Sequence, residues 1–166
     1  LALESAHDID PAAVDAIRVR TFAEATHIGT RHPESIEAAE YSYPYPVAVA
    51  LVHGRLTPTE LLAFADGDSA VERLADAVTL TVDDEIDERF PQECLARVEV
   101  VTGERTYESS VTRPRGSRNR PLSSARQRAK VERLCAPMPD TGAIDRVEQL
   151  LCDRDARVAE VLAPWE

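Results

Sequence analysis

The densest chemistry in this 166-residue chain is Tyr41-Ser42-Tyr43-Pro44-Tyr45-Pro46, which holds three of its four tyrosines and a hydroxyl. It stands at the mouth of an apolar run, Val47-Ala48-Val49-Ala50-Leu51-Val52. A phenol so placed can donate a proton or orient a carboxylate, but it needs a basic partner to set its protonation state. Taken alone, the simpler reading is that the rings pack beneath a loop and anchor the helix. A second cluster is basic: Arg113, Arg115, Arg118 and Arg120 flank Gly116 in an otherwise acidic chain. Guanidinium forks match carboxylates, so a polyanionic small molecule would be drawn there. A solvated turn neutralised by neighbouring acids is the simpler alternative.

Several chemistries are excluded. GxSxG, HExxH, GxGxxG and the P-loop are all missing. The histidines His7, His27, His32 and His53 offer no pair at the i, i+4 spacing of helical metal ligands, so no metal is expected. Cys94, Cys135 and Cys152 are an odd number without a CxxC pair, which argues against a disulfide framework and for a reducing cytoplasm. Each is expected as a small buried apolar residue. A net charge of -11 repels phosphates and anionic lipids, so neither nucleic acid nor membrane is an expected partner. No apolar run approaches the roughly 20 residues of a membrane helix. Lys130 is the only lysine. Many acids beside so few lysines fit a high-salt cytoplasm or a GC-rich genome, and composition does not separate the two.

The elements that position these clusters can be read from caps and periodicity. Asp10-Pro11 opens a short helical turn before Ile17-Arg18-Val19-Arg20-Thr21 alternates as a strand. Residues 23–40 are polar and aperiodic and read as loop. Each proline disfavours helix at the residue before it, so Tyr43 and Tyr45 are expected extended or in a turn, with a helix beginning at Pro46 and stopping at Gly54. Being apolar on every face, that helix is expected to be buried on most sides. Thr57-Pro58-Thr59-Glu60 has capping-box spacing for a helix ending near Gly67, and Ser69-Ala70-Val71-Glu72 repeats it. Val78 to Val82 turns to strand alternation, and Asp83-Asp84-Glu85 reads as a solvated turn. Leu95 to Val101 and Arg105 to Thr112 form a hairpin around Gly103. A helix capped at Ser123 or Ser124 runs to about Cys135, and two more start near Asp140 and Asp155. Strands among helices without strict alternation predict one α+β domain over 1–166, a two-layer sandwich of a small, mainly antiparallel sheet with helices packed on it.

The first residues do not read as a signal peptide and do not open on Met, and Leu1-Ala2-Leu3 reads as the last turn of a helix begun upstream. It is therefore expected to be part of a larger enzyme, without a complete active site of its own.

These segments, in this order, resemble the C-terminal region of the MmgE/PrpD family, which includes 2-methylcitrate dehydratases, cis-aconitate decarboxylases and iminodisuccinate epimerases. The resemblance is carried by His7-Asp8-Ile9-Asp10-Pro11, Tyr41-Ser42-Tyr43-Pro44-Tyr45-Pro46-Val47-Ala48-Val49-Ala50 with Gly54, Arg113-Pro114-Arg115-Gly116-Ser117, and Pro121-Leu122-Ser123 with Lys130. Each motif is weak singly; the series is specific. It implies an α+β lid that closes over a large helical domain, in a homodimer that uses no metal or organic cofactor. It also implies that His, Asp and Lys of the helical domain share the acid-base work with a lid tyrosine, which falls on Tyr45. Ser42, Tyr43, Arg115 and Gly116 are the implied substrate contacts. The implied activity is a dehydratase-like lyase acting on a small di- or tricarboxylic acid. A noncatalytic carboxylate-binding or assembly module and an epimerase of the same family are the alternatives.

Overall fold

The computed structural model describes residues 7–103, 105–135, 142–153, 155, 157 and 159. Strand β1 (Ala16–Thr21) alternates inward Ile17, Val19 and Thr21 with outward Arg18 and Arg20. That alternation fixes its register, because a slip of one residue would turn the arginines into the core. It pairs parallel with β2 (Val78–Val82), Ile17 opposite Val78, and antiparallel with β3 (Ala96–Thr102), Ile17 opposite Val100. β4 (Arg105–Glu108) completes the order β2-β1-β3-β4. Two of the three pairings are antiparallel, as the mainly antiparallel expectation requires.

One face of this sheet is apolar and covered, and the other carries charge. On the charged face Glu99 of β3 bonds Arg18 and lies 3.4 Å from Arg20. On the covered face, helices α2 (Pro44–His53) and α4 (Ser69–Asp76) pack Ala48, Val49, Leu74 and Ala75 against Ile17 and Val78. Full burial of such a side chain contributes about 1.5–3 kcal/mol. A second cluster gathers Phe22, Ala25, Ile86 and Leu95, with Phe90 stacked on Phe22 at 4.2 Å. Thr21 reaches this end of the sheet fully buried, its hydroxyl donating to the Leu95 carbonyl at 2.9 Å. The α+β class follows: a mixed four-stranded sheet and helices.

Several local expectations are corrected. Residues 23–40 are not all loop: a 3-10 turn spans Ala23–His27, and α1 (Ile36–Glu40) is capped by the Ser35 hydroxyl. Helix α2 starts at Pro44, two residues before Pro46, so Tyr45 is helical and Tyr43 is its cap with αR angles. The first-turn N–H groups of a helix have no intrahelical partner, so prolines at its first and third positions remove nothing the helix uses. That outweighs the steric preference against helix before proline. Asp68, not Ser69, caps α4 through bonds from Ala70 and Val71. Asp83 caps a short helix, α5 (Asp84–Asp87), where a solvated turn was expected. β4 ends at Glu108, and Thr112 rejoins the sheet by a single bridge to Ala96. α3 (Pro58–Leu62) carries the expected capping box and continues as a 3-10 turn to Asp66 before Gly67.

Residues 1–120 form one compact unit and 121–166 another. The second contains α6 (Ser124–Cys135), capped by Ser123, and α7 (Gly142–Cys152). Arg128 of α6 joins them, pairing with Glu132 of its own helix and with Asp145 and Glu148 of α7. Leu1-Ala2-Leu3 and most of the helix expected from Asp155 lie outside the described residues. Cys94 and Cys152 are exposed and Cys135 half-buried, so none of the three cysteines is the core residue expected. Cys135 and Cys152 end their helices and Cys94 precedes β3, positions that packing does not enclose.

Candidate active site

Ser42 and Pro44 set the position of Tyr45. The buried Ser42 hydroxyl donates to the Thr30 carbonyl, and its oxygen accepts from the Tyr45 N–H at 3.3 Å. It thereby ties the first turn of α2 to the loop before α1. The hydrogen bonds of Ser42 among the described residues are thus internal to the fold. Tyr45 is 5% exposed, and its hydroxyl donates to the Leu61 carbonyl at 3.3 Å, a long bond. Burial raises the phenol above its ordinary pKa, with Asp68 and then Asp66 pushing the same way.

The tyrosine is not sealed. It lines a cleft of about 100 Å³ together with His53, Glu60 and Asp68. Tyr45, Val49 and His53 recur every four residues and share one face of α2. His53 Nε2 lies 3.5 Å from the Asp68 carboxylate. Glu60 is buried and engaged by Arg55 at 2.6 Å. Within the cleft Tyr45 is a protonated donor, and the adjacent carboxylates are committed: Asp68 to the cap of α4, Glu60 to its capping box.

Tyr43 faces elsewhere. Half-buried, it lines a larger hollow of about 370 Å³ with Cys94 and Arg113. Burial raises its phenol pKa, Cys94 adding to the effect, so it too is a donor at neutral pH. Arg115 and Gly116 line neither cleft. Both are exposed, on a turn closed by the Gly116 N–H bonding the Arg120 carbonyl at 2.8 Å. Gly116 has φ 90°, a conformation that an L side chain resists. The expected residues therefore divide into three places: Tyr45 in the small cleft, Tyr43 in the large one, and Arg115 with Gly116 at the surface. His53, Glu60 and Asp68 were missed beside Tyr45. The eight-residue step from Tyr45 to His53 was readable as one helix face once the helix was started at Pro44.

Among the described residues no group of three or more His, Cys, Asp or Glu is placed to hold a metal ion, and no helix is long and apolar enough to cross a membrane. The family model described as the MmgE/PrpD C-terminal domain matches residues 1–153. Among curated proteins no sequence matches. The match takes in the whole first unit, with the tyrosine cluster of α2 and the basic turn, and the second unit as far as residue 153, and by it the chain belongs to the MmgE/PrpD family as a C-terminal domain of that family.

Proposed function

We propose that this domain is the lid of an MmgE/PrpD-type lyase that dehydrates a small di- or tricarboxylic acid in the manner of a 2-methylcitrate dehydratase. The observation that carries the reading is Tyr45: a phenol kept protonated by burial, at the wall of a small open cleft. A base then comes from a second surface, the helical domain of the same polypeptide. That base removes the proton next to a carboxylate, the hydroxyl two bonds away departs as water, and the carbon–carbon double bond forms between them. Tyr45 supplies the leaving hydroxyl with a proton or orients the substrate carboxylate. Arg115, exposed and without an ion pair among the described residues, is free to attract the anionic substrate past a surface of net charge -11. The working protein is a cytoplasmic homodimer that uses no cofactor.

In the full-length protein Tyr45→Phe lowers turnover by the roughly 10²- to 10⁴-fold typical of general acid-base groups. An unchanged rate removes Tyr45 from the mechanism. Calorimetric titration of this domain with citrate decides against a self-sufficient carboxylate-binding module if binding is weak, as a lid requires. Product analysis separates dehydration from epimerisation.

A further inference from the structure

Two hollows of the first unit meet at Cys94-Leu95 on one wall and Arg113-Pro114 on the other, residues that line both. The larger, about 370 Å³, is a hydrocarbon chamber. Its walls are Val47, Ala50 and Leu51 of α2 and Ala96, Val98 and Val100 of β3. Val98 points to the covered side of the sheet yet is only half-buried, so this part of the apolar face lacks a full layer over it.

The smaller hollow, about 180 Å³, is also mainly apolar, with a few polar side chains in its wall. Ser117, Arg118 and Asn119 line it. The Ser117 Oγ is buried without a hydrogen-bond partner, beneath the surface of the hollow. Arg118 has no ion pair among the described residues. The one carboxylate there, Glu93, is met by both Arg89 and Arg113. Of the residues that line it, two guanidinium groups, Arg113 and Arg118, stand against one carboxylate, which leaves this end positive within an acidic protein.

We propose that the double hollow binds a linear amphiphile, a medium-chain monocarboxylate. Its hydrocarbon tail lies between α2 and β3, and its carboxylate is held by Arg118 and Asn119. Apolar lining with a few convergent polar groups is the usual build of a small-molecule site. Arginine forks take carboxylates bidentately, and charge complementarity selects an anionic head over a neutral or cationic one. Tyr45 lines a different cleft, whereas Tyr43, an expected substrate contact of the lyase, lines this chamber; turnover of Tyr45→Phe and protection of Cys94 by decanoate are therefore separate readouts.

Cys94, exposed at the neck, reports occupancy. With Cys135→Ser and Cys152→Ser in the 166-residue chain, it is the remaining thiol of that chain, and its alkylation by iodoacetamide can be timed against added decanoate. Saturable slowing of at least five-fold is expected, with far less from decanol and none from decyltrimethylammonium. Arg118→Gln, at an exposed position, removes the preference for decanoate over decanol. Ala50→Phe fills the chamber and weakens both. Absence of protection below the critical micelle concentration of decanoate overturns the proposal. So does equal protection by all three amphiphiles. Protection that grows with protein concentration alone overturns it as well, by making the hollow a contact between copies of the chain.

Discussion

Burial decides the protonation of Tyr45 before any substrate arrives. A desolvated phenol near two carboxylates holds its proton, so at neutral pH the group is an acid or a donor and never a base. Fold and chemistry are separable at this residue, because the ring fills the core while the hydroxyl makes one long bond to Leu61. Tyr45→Phe keeps the ring and loses that bond, so its stability cost is expected at or below about 1 kcal/mol by urea denaturation. A larger loss would mean that the hydroxyl serves the fold, and any fall in turnover would then be indirect. Ser42 gives the opposite expectation. Its hydroxyl both donates to Thr30 and accepts from the first turn of α2, so Ser42→Ala strands the buried Tyr45 N–H and the part-buried Thr30 carbonyl and costs about 1–2 kcal/mol. A neutral Ser42→Ala would break the link drawn between that hydroxyl and the position of Tyr45. The phenol itself was legible in the sequence as part of a dense aromatic cluster. Its neighbours were not, since Glu60 and Asp68 reach it from caps of later helices and only the folded chain assembles them.

Capping explains which elements could be read and which were mistaken. The Thr57/Glu60 box was visible as spacing and is present: the Thr57 N–H donates to Glu60 at 3.0 Å. Where two caps stood side by side, as at Asp68 and Ser69, spacing chose the wrong one, because either side chain satisfies the pattern and only φ and ψ distinguish them. Prolines before Tyr45 and Val47 read as breakers although each sat where a helix tolerates it. The strands β1, β2 and β3 were legible because alternation over five or more residues has few rivals, whereas five-residue α1, with one fully buried residue, has no period to show. Glu60 offers a test at this scale. The Thr57 hydroxyl first, then Arg55, hold its carboxyl below the usual value near 4.5, against the opposing effect of burial. A depressed folded pKa means that the carboxylate stabilises at pH values above the unfolded pKa, and that this stabilisation disappears as pH falls through the folded value. Glu60→Gln is therefore expected to lose about 1 kcal/mol at pH 7. The difference from wild type should shrink towards zero well below pH 4.5. Urea midpoints at pH 7 and pH 3 measure both, and a gap that stays constant with pH would show that the ionised form contributes nothing.

At the scale of the molecule the dominant fact is charge: 30 acidic side chains against 19 basic ones, a single lysine among the latter. Ion pairs do not cancel this excess, and they cluster: Arg128 alone faces Glu132, Asp145 and Glu148, and Glu93 alone faces Arg89 and Arg113. Exposed pairs of this kind contribute little individually and weaken with salt, whereas repulsion among many like charges acts across the whole surface and opposes the compact state. Raising NaCl from 0.1 to 1 M shortens the screening length from about 10 to about 3 Å and suppresses repulsion and attraction alike. With the excess on the acidic side, the net effect is a gain in stability, and each kcal/mol gained raises Tm by roughly 2–4 °C in a chain of this length. Thermal unfolding across a NaCl series is expected to show a steady rise in Tm. A chain that unfolds when salt is removed would favour a high-salt cytoplasm as its origin, and one that stays folded in dilute buffer would favour a GC-rich genome. A Tm that falls as salt rises would show instead that the paired arginines outweigh the acidic surplus, and that the acidity of this domain does not strain its fold.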